Sequence, residues 1–178
     1  MQTGKPDPHE RRVALRKLIA RGGPTAVLGA ADALSAAQIS ASGQPAVYVG
    51  SYATAASGLA LPDTGLLSAD ELIEQARSIV KATAVPVIAD AEGGFTSAGN
   101  LWKVIQGFEQ AGVSAIHLED HTGAGKHTDL PQSLRGPNEA AARIRAALDA
   151  RRDPDFLIIA RTDAFWVHRD LDQCVTII

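Results

Sequence analysis

A chain of 178 residues is long enough for one domain with a hydrophobic core. Its 17 basic and 20 acidic side chains give a net charge of −3, with no basic stripe or block of like charge, so a nucleic-acid partner is not expected. Hydrophobic residues make up 46% of the chain but aromatic ones only 4%, a balance that suits helix-on-sheet packing better than an aromatic-rich β-sandwich. The single cysteine, Cys174, excludes an internal disulfide framework and fits a reducing compartment. No apolar run reaches about 18 residues and the start has no signal-peptide core, so a cytoplasmic protein with no membrane partner is expected.

In chain order, Glu10 to Arg21 reads as an amphipathic helix, with Val13, Ala14, Leu15, Leu18 and Ile19 set among basic residues and a stop at Gly22-Gly23-Pro24. Thr25 to Gly29 is a short apolar strand, and Asp32 to Ser42 a helix closed by Gly43. Ala46 to Val49 forms a second strand ending in Gly50-Ser51-Tyr52, and a long loop follows from Ala53 to Leu67. Ser68 and Glu71 have the spacing of a capping box and start a helix running to about Ala82. Val87-Ile88-Ala89-Asp90 is the third strand. A helix from Ala98 to Gln110 follows, with Leu101, Val104, Ile105 and Phe108 on one face. Val113 to Leu118 is the fourth strand, leading into Glu119-Asp120-His121 and a polar, glycine-rich loop to Gly136. Pro137 sits in the first turn of a helix reaching Arg151; Phe156 to Ala160 is the fifth strand, and Leu171 to Ile178 a further helix.

Apolar strands alternating with amphipathic helices imply a parallel sheet covered on both faces. Charge is placed unevenly along this pattern. Asp63, Asp90, Glu92, Glu119, Asp120, Arg161 and Asp163 all follow strands, and no comparable cluster precedes one. Such charge marks the carboxyl ends of the strands as the active face of a (β/α)-barrel or of an open doubly wound sheet. A closed barrel takes eight strands and about 250 residues, and the sequence supplies five strands.

The most chemically loaded stretch is Asp90-Ala91-Glu92-Gly93-Gly94-Phe95. In an extended segment residues two apart point the same way, so Asp90 and Glu92 share a side as the chain leaves the sheet. Two anions on one side repel unless a cation stands between them. Hard oxygen donors around an open position suit Mg²⁺ or Mn²⁺. The alternative is a solvated loop that caps the following helix.

Five segments together carry a resemblance: Gly29-Ala30-Ala31-Asp32-Ala33-Leu34-Ser35, Leu61-Pro62-Asp63, Ala89 to Phe95, Ile116-His117-Leu118-Glu119-Asp120, and Ile159-Ala160-Arg161-Thr162-Asp163-Ala164. In this order they resemble the isocitrate lyase/phosphoenolpyruvate mutase superfamily. The resemblance implies an α/β fold of the (β/α)8 TIM-barrel type, of which this chain carries about five units as a single, incomplete domain. It also implies a Mg²⁺ or Mn²⁺ ion and a small 2-oxo or 2-hydroxy carboxylic acid whose C–C or P–C bond is broken or made. Asp90 matches the direct metal ligand, and Asp63, Glu92 and Glu119 match carboxylates that hold the ion largely through water. Arg161 matches the arginine on the substrate's oxygens, and Gly50, Ser51 and Tyr52 the turn whose N–H groups hold the carboxylate end.

The sequence departs from the family pattern in three places. The second acid of the metal strand is Glu92, as in isocitrate lyase itself, and the turn reads Gly50-Ser51 where Ser-Gly is usual. The lyases carry a Lys-Lys/Arg-Cys-Gly-His loop, whereas the loop here reads Gly123-Ala124-Gly125-Lys126-His127-Thr128-Asp129-Leu130 and has no cysteine. In this it is more similar to the oxaloacetate decarboxylase branch. Losing CO₂ from a 2-oxo acid needs no general acid for bond breaking, whereas cleaving a 2-hydroxy acid does.

Other readings compete at single positions. Arg161 can be a structural partner of Asp163 or Glu119, and Asp63 a turn residue after Pro62. His117 is either an interior histidine facing the site or one held by hydrogen bonds. His121, Lys126 and His127 form either a lid or, as the favoured reading, a solvated excursion, and Phe165 and Trp166 are expected to pack. Five strands leave an open edge. That edge calls for the remaining units in a longer gene product, with homo-oligomers expected; a non-catalytic remnant is the other possibility.

Overall fold

The computed structural model describes residues 4–123, 126–129 and 131–177. Its strands are β1 (Leu28–Gly29), β2 (Val47–Val49), β3 (Val87–Asp90), β4 (Ala115–Glu119) and β5 (Leu157–Arg161). The helices are α1 (Pro8–Ala20), α2 (Ala33–Ala41), α3 (Ser51–Ala53), α4 (Ala69–Ala82), α5 (Leu101–Ala111), α6 (Pro137–Ala150), α7 (Ala164–His168) and α8 (Leu171–Ile177). Start signals read from the sequence hold at atomic level. The Ser68 hydroxyl accepts from Glu71 N and the Glu71 carboxylate accepts from Ser68 N at 2.8 Å, so two donors at the start of α4 are satisfied reciprocally. Among the described residues no helix is long and apolar enough to cross a membrane.

All four strand pairings are parallel, and the order β1-β2-β3-β4-β5 follows the sequence without reversal. Right-handed crossovers in unreversed order place every connecting helix on the same side. One core therefore joins the helices to the sheet's outer face, through Val47, Val49, Val87, Ala89, Ile116 and Leu118 against Leu72, Ile79, Ile105 and Phe108. A second, smaller core lies on the opposite face, where Ile88, Ala115, Leu157 and Tyr48 meet Leu15 and Leu18 of α1. The helices that connect the strands thus cover one face and not both, as a barrel-type sheet requires and a doubly wound sheet does not, while α1 closes the other face at its amino-terminal end.

Three expectations change. The predicted loop from Ala53 to Leu67 begins as helix: α3 continues into a π-helical turn, Thr54–Gly58. The first strand shrinks to two residues, since it has a partner on one side only. Helix α1 does not bury a purely apolar stripe: Ile19 is 55% exposed, while Arg11 and Arg12 are buried. The Arg11 guanidinium donates to Val80 O at 3.0 Å, and that of Arg12 to Glu109 O at 2.7 Å and Val113 O at 3.2 Å. Val80 and Glu109 lie near the C-terminal ends of α4 and α5, where carbonyls lack partners and the helix dipole favours a cation. These arginines tie α1 across the amino-terminal end of the sheet.

Asp153 completes that floor, accepting from Arg12 at 2.9 Å and sitting 3.0 Å from the His9 ring. Burial opposes its ionisation, but hydrogen bonds from Arg12 and His9 hold its carboxyl down at about 2. Its contribution is present above the ordinary carboxylate range and lost as pH falls toward about 2. The Asp153 bond in turn raises His9, so that contribution is complete below the ordinary histidine value and lost as pH rises through the raised one. Asp153→Asn, which strands the buried Arg12 charge, is expected to cost about 3 kcal/mol in a urea titration at neutral pH. His9→Gln is expected to flatten the loss of stability on the alkaline side.

Candidate active site

The pairing register fixes which side chains share the inner face. Tyr48, Ile88, Ala115 and Leu157 form one cross-strand row; Asp90, His117 and Ile159 form the next; Glu119 and Arg161 form the last. Alternation along each strand carries the inner face from an apolar row above α1 to a charged row at the carboxyl ends. The outward neighbours Ala89, Ile116 and Leu118 stay apolar and sit in the helix-facing core.

Leaving β3, the Asp90 carboxylate accepts from the Glu92 N–H at 2.9 Å, and the chain turns sharply. Glu92 has φ 48° and Phe95 φ 58°, values that cost a side-chain-bearing residue roughly 1–2 kcal/mol each. The two glycines between them answer to close approach. A Cβ on Gly93 would lie 2.6 Å from His121 O, and one on Gly94 2.6 Å from the Leu101 side chain. Sterics thus bring Glu92 back toward the mouth of the sheet.

The Lys126 ammonium lies between Glu92 and Glu119, 2.8 Å from the latter and in closer contact with the former. Arg161 Nη1 is 3.3 Å from Glu119 and 3.7 Å from Asp90, and its Nε donates to Asp163 at 2.9 Å. Asp120 accepts from Thr162 Oγ1 at 2.6 Å and from Asp163 N at 2.9 Å, fixing the segment that aims Arg161. Burial and the neighbouring Glu92 raise Asp90, while burial pushes Glu119 up to about 7 against the pull of Lys126. For Glu92 the bond from Lys126 outweighs burial and its carboxyl falls below the usual range. Burial disfavours the charge on Lys126, yet Glu119 and Glu92 hold it above its ordinary range, so the shared proton stays on nitrogen.

The residues expected at the site are not all gathered together. Asp90, Glu119, His117 and Arg161 share the inner face, and Glu92 joins them through Lys126. Asp63 lines a neighbouring cavity of about 1130 Å³ that also reaches Glu92 and Lys126, but its carboxylate faces His127 at 3.5 Å. Gly50 precedes the first turn of α3, Ser51 is buried and helps lower the Glu92 carboxyl, and Tyr52 is 71% exposed. Asp63 and Tyr52 make no ion pair or hydrogen bond with Asp90, Glu119 or Arg161 among the described residues. His117 packs its ring 5.3 Å from that of Tyr48, and burial lowers its basicity. The Arg161–Asp163 pair is present as well, and it orients the guanidinium toward Glu119.

The loop after Asp120 corrects the expectation of a solvated excursion. His121 is buried, and its ring accepts from Gly123 N at 2.8 Å and meets Gln132 at 2.9 Å. A short antiparallel stem pairs His121 with Leu134, and Thr122 N donates to Ser133 O at 3.0 Å. Lys126 is buried; Ala124, Gly125 and Leu130 lie outside the described residues. Phe165 and Trp166 are 53% and 50% exposed on α7 rather than packed; Trp166 meets the His127 ring edge-on at 5.8 Å. Sequence reasoning missed Lys126 and Tyr48. The signal for Lys126 was available, because Lys126-His127 retains basic residues of the family loop although the cysteine is gone.

The donor set suits a hard divalent cation in chemistry. Asp90, Glu92, Glu119 and Asp163 face two cations, Lys126 and Arg161, and Asp120 lies beside them on Thr162 and Asp163 N. Glu119 Oε2 is a buried oxygen without a hydrogen bond among the described residues. In spacing, Lys126 takes the central place. Among the described residues, the only three potential ligands whose donor atoms converge within 4.8 Å of one another are His9, Asp153 and Asp155, at the opposite end of the sheet. There Arg12 and Arg16 already pair with the carboxylates.

Acidic groups and an arginine gathered at the carboxyl ends of an unreversed parallel sheet have the form of the working face of a βα-barrel fold. A family model described as phosphoenolpyruvate phosphomutase matches residues 15–177, and the chain belongs to that family, the phosphoenolpyruvate mutase/isocitrate lyase superfamily. The chain is 40% identical over 151 residues to a 2,3-dimethylmalate lyase of Eubacterium barkeri, an alignment covering 84% of this chain and 52% of the relative. A phosphoenolpyruvate phosphomutase structure from Streptomyces platensis subsp. rosaceus superposes with a TM-score of 0.84 at 32% identity, covering 93% of this chain and 58% of that one. A phosphonopyruvate hydrolase in complex with oxalate and Mg²⁺ gives a TM-score of 0.82 at 30% identity, over 94% and 57%. The chain spans about half the length of the relatives it matches.

Because burial raises Glu119 to about 7, its favourable contribution is complete below the ordinary carboxylate range and lost as pH rises through about 7. Glu119→Gln, which mimics the protonated acid, is expected to match the parent at acid pH. Above about 7 it is expected to exceed the parent by on the order of 1–2 kcal/mol in metal-free thermal melts.

Proposed function

We propose that this chain carries the metal- and substrate-binding half of a Mg²⁺-dependent lyase that cleaves a small 2-oxo carboxylic acid through an enolate, in the manner of an oxaloacetate decarboxylase. The observation that supports this most directly is the convergence of Asp90, Glu119 and Arg161 on one face, with the buried Glu119 Oε2 3.3 Å from Arg161 but without a hydrogen bond among the described residues. Asp90, Glu119 and Glu92 would hold the ion, with Asp63 reaching it through water, and Mn²⁺ would serve in its place. When bound, such an ion withdraws electrons from the ketone and stabilises negative charge on its oxygen.

The chain's own residues do the rest. Arg161, steadied by Asp163, presents a planar cation that can grip two oxygens of the acid and remains charged throughout. The N–H groups at the Gly50–Tyr52 turn are placed at a helix start, where a carboxylate is favoured. Tyr48, which burial and the neighbouring Asp90 charge keep protonated, stands beside the site with its ring against that of His117. Lys126 neutralises Glu92 and Glu119 until a cation or substrate takes over that task. Bond breaking by loss of CO₂ calls on no protein acid, consistent with the cysteine-free loop. The identity to a 2,3-dimethylmalate lyase favours a second reading, retro-aldol cleavage of a substituted malate or methylisocitrate, for which a proton-transferring group must be present.

Incubation with oxaloacetate and Mg²⁺ is expected to release pyruvate, and Asp90→Ala is expected to remove metal-dependent turnover without loss of the fold. Silence toward oxaloacetate beside turnover of methylisocitrate would reverse the order of the two readings. Metal affinity, measured with Mn²⁺ by calorimetry, is expected to rise as pH increases through about 7, because Glu119 must give up its proton to bind. The outer edges of β1 and β5 are unpaired in the sheet, so association into homo-oligomers is expected, and sedimentation velocity measures it.

A further inference from the structure

Arg143 of α6 is the buried charge that neither the fold nor the proposed chemistry accounts for. It is 3% exposed, and among the described residues no carboxylate lies within 4.0 Å of it. Among the described residues its Nε has no hydrogen-bond partner, and burial, then the nearby Arg135, lowers its hold on the proton. A guanidinium without a counter-ion in the interior is unfavourable for stability, and an apolar side chain of similar volume there is commonly neutral or stabilising.

Its Nη2 donates to Gly93 O, in a close contact, and to Thr96 O at 2.9 Å. These carbonyls bracket Gly94 and Phe95, which have φ 87° and 58° and follow Glu92 with φ 48°. A Cβ on Gly94 would lie 2.7 Å from this same Nη2, so the guanidinium fills the space the glycine leaves. Both bonds leave one nitrogen, Nη2, held at the end of a long stem rooted in α6 rather than in the loop, and the planar guanidinium fixes the direction of its two N–H groups.

We infer that Arg143 is a positioning residue: it clamps the turn Gly93–Thr96 so that Glu92 is held toward Glu119 in a left-handed conformation ready for a divalent cation. The inference rests on the proposed metal site. It assigns Arg143 no contact with the ion or the substrate.

The test compares the parent chain with Arg143→Met and Arg143→Lys in three measurements: Mn²⁺ affinity by calorimetry, melting temperature without metal, and hydrogen exchange at the Gly94 amide, which donates to Ala91 O at 2.8 Å. Arg143→Met is expected to weaken Mn²⁺ binding by about 10- to 100-fold and to speed Gly94 exchange, with the melting temperature unchanged or higher. Arg143→Lys, which keeps the charge and N–H donors but loses the planar guanidinium that fixes their direction, is expected to lose less affinity at the same melting temperature, and it carries the comparison if the methionine variant does not fold. Parent-like Mn²⁺ affinity in both variants would overturn the inference while leaving the metal site standing. Weakened affinity that merely tracks a lowered melting temperature would also overturn it, since the role would then be structural. A parent chain that binds no Mn²⁺ removes the metal reading and this inference together.

Discussion

The mouth of this sheet is built on a charge imbalance that, among the described residues, Lys126 and Arg161 relieve. Five carboxylates lie on or just beyond β3, β4 and β5, and Lys126 and Arg161 are the cations among them. Like charges brought together out of water repel strongly, so the arrangement persists because each cation touches more than one acid. Lys126 joins Glu92 to Glu119, and Arg161 joins Glu119 to Asp90 and Asp163. Glu119, common to both cations, is the acid that burial pushes furthest toward neutrality, and one of its oxygens still lacks a hydrogen bond. A site held in this state is prepared for a stronger cation or for an anionic substrate that brings its own counter-ion.

Much of this was legible in the residues. Four of the five strands and the helices between them follow from apolar runs and spacing, because packing on one sheet face leaves a strong periodic trace. The rise of charge after each strand was legible too, and it located the working end. Direction was harder to read. Nothing in the apolar pattern of β3 or β4 says which face will carry helices; strand order decides that, and order emerges only when the sheet assembles.

What stayed hidden depended on single atoms reaching across the fold. Helix α1 reads as amphipathic, its apolar residues set among basic ones, and nothing in that pattern says that Arg11 and Arg12 bury their guanidinium groups against helix ends distant in sequence. Lys126 looked like part of a solvated loop, yet its ammonium lies 2.8 Å from Glu119. A basic side chain carries the same letters whether its charge meets water or a buried carboxylate, so composition cannot separate the two. Asp63 adds a partner the residues did not announce: its carboxylate lies 3.5 Å from His127, on the cavity that also reaches Glu92 and Lys126.

The row formed by Tyr48, Ile88, Ala115 and Leu157 has a consequence for how the molecule can change. It separates the Arg12–Asp153 floor from the Asp90–Glu119–Arg161 mouth, and the two groups share no partner. Substitutions at sites without common partners combine close to additively. Robustness can therefore be tuned at one pole while selectivity drifts at the other, each leaving the other's optimum in place.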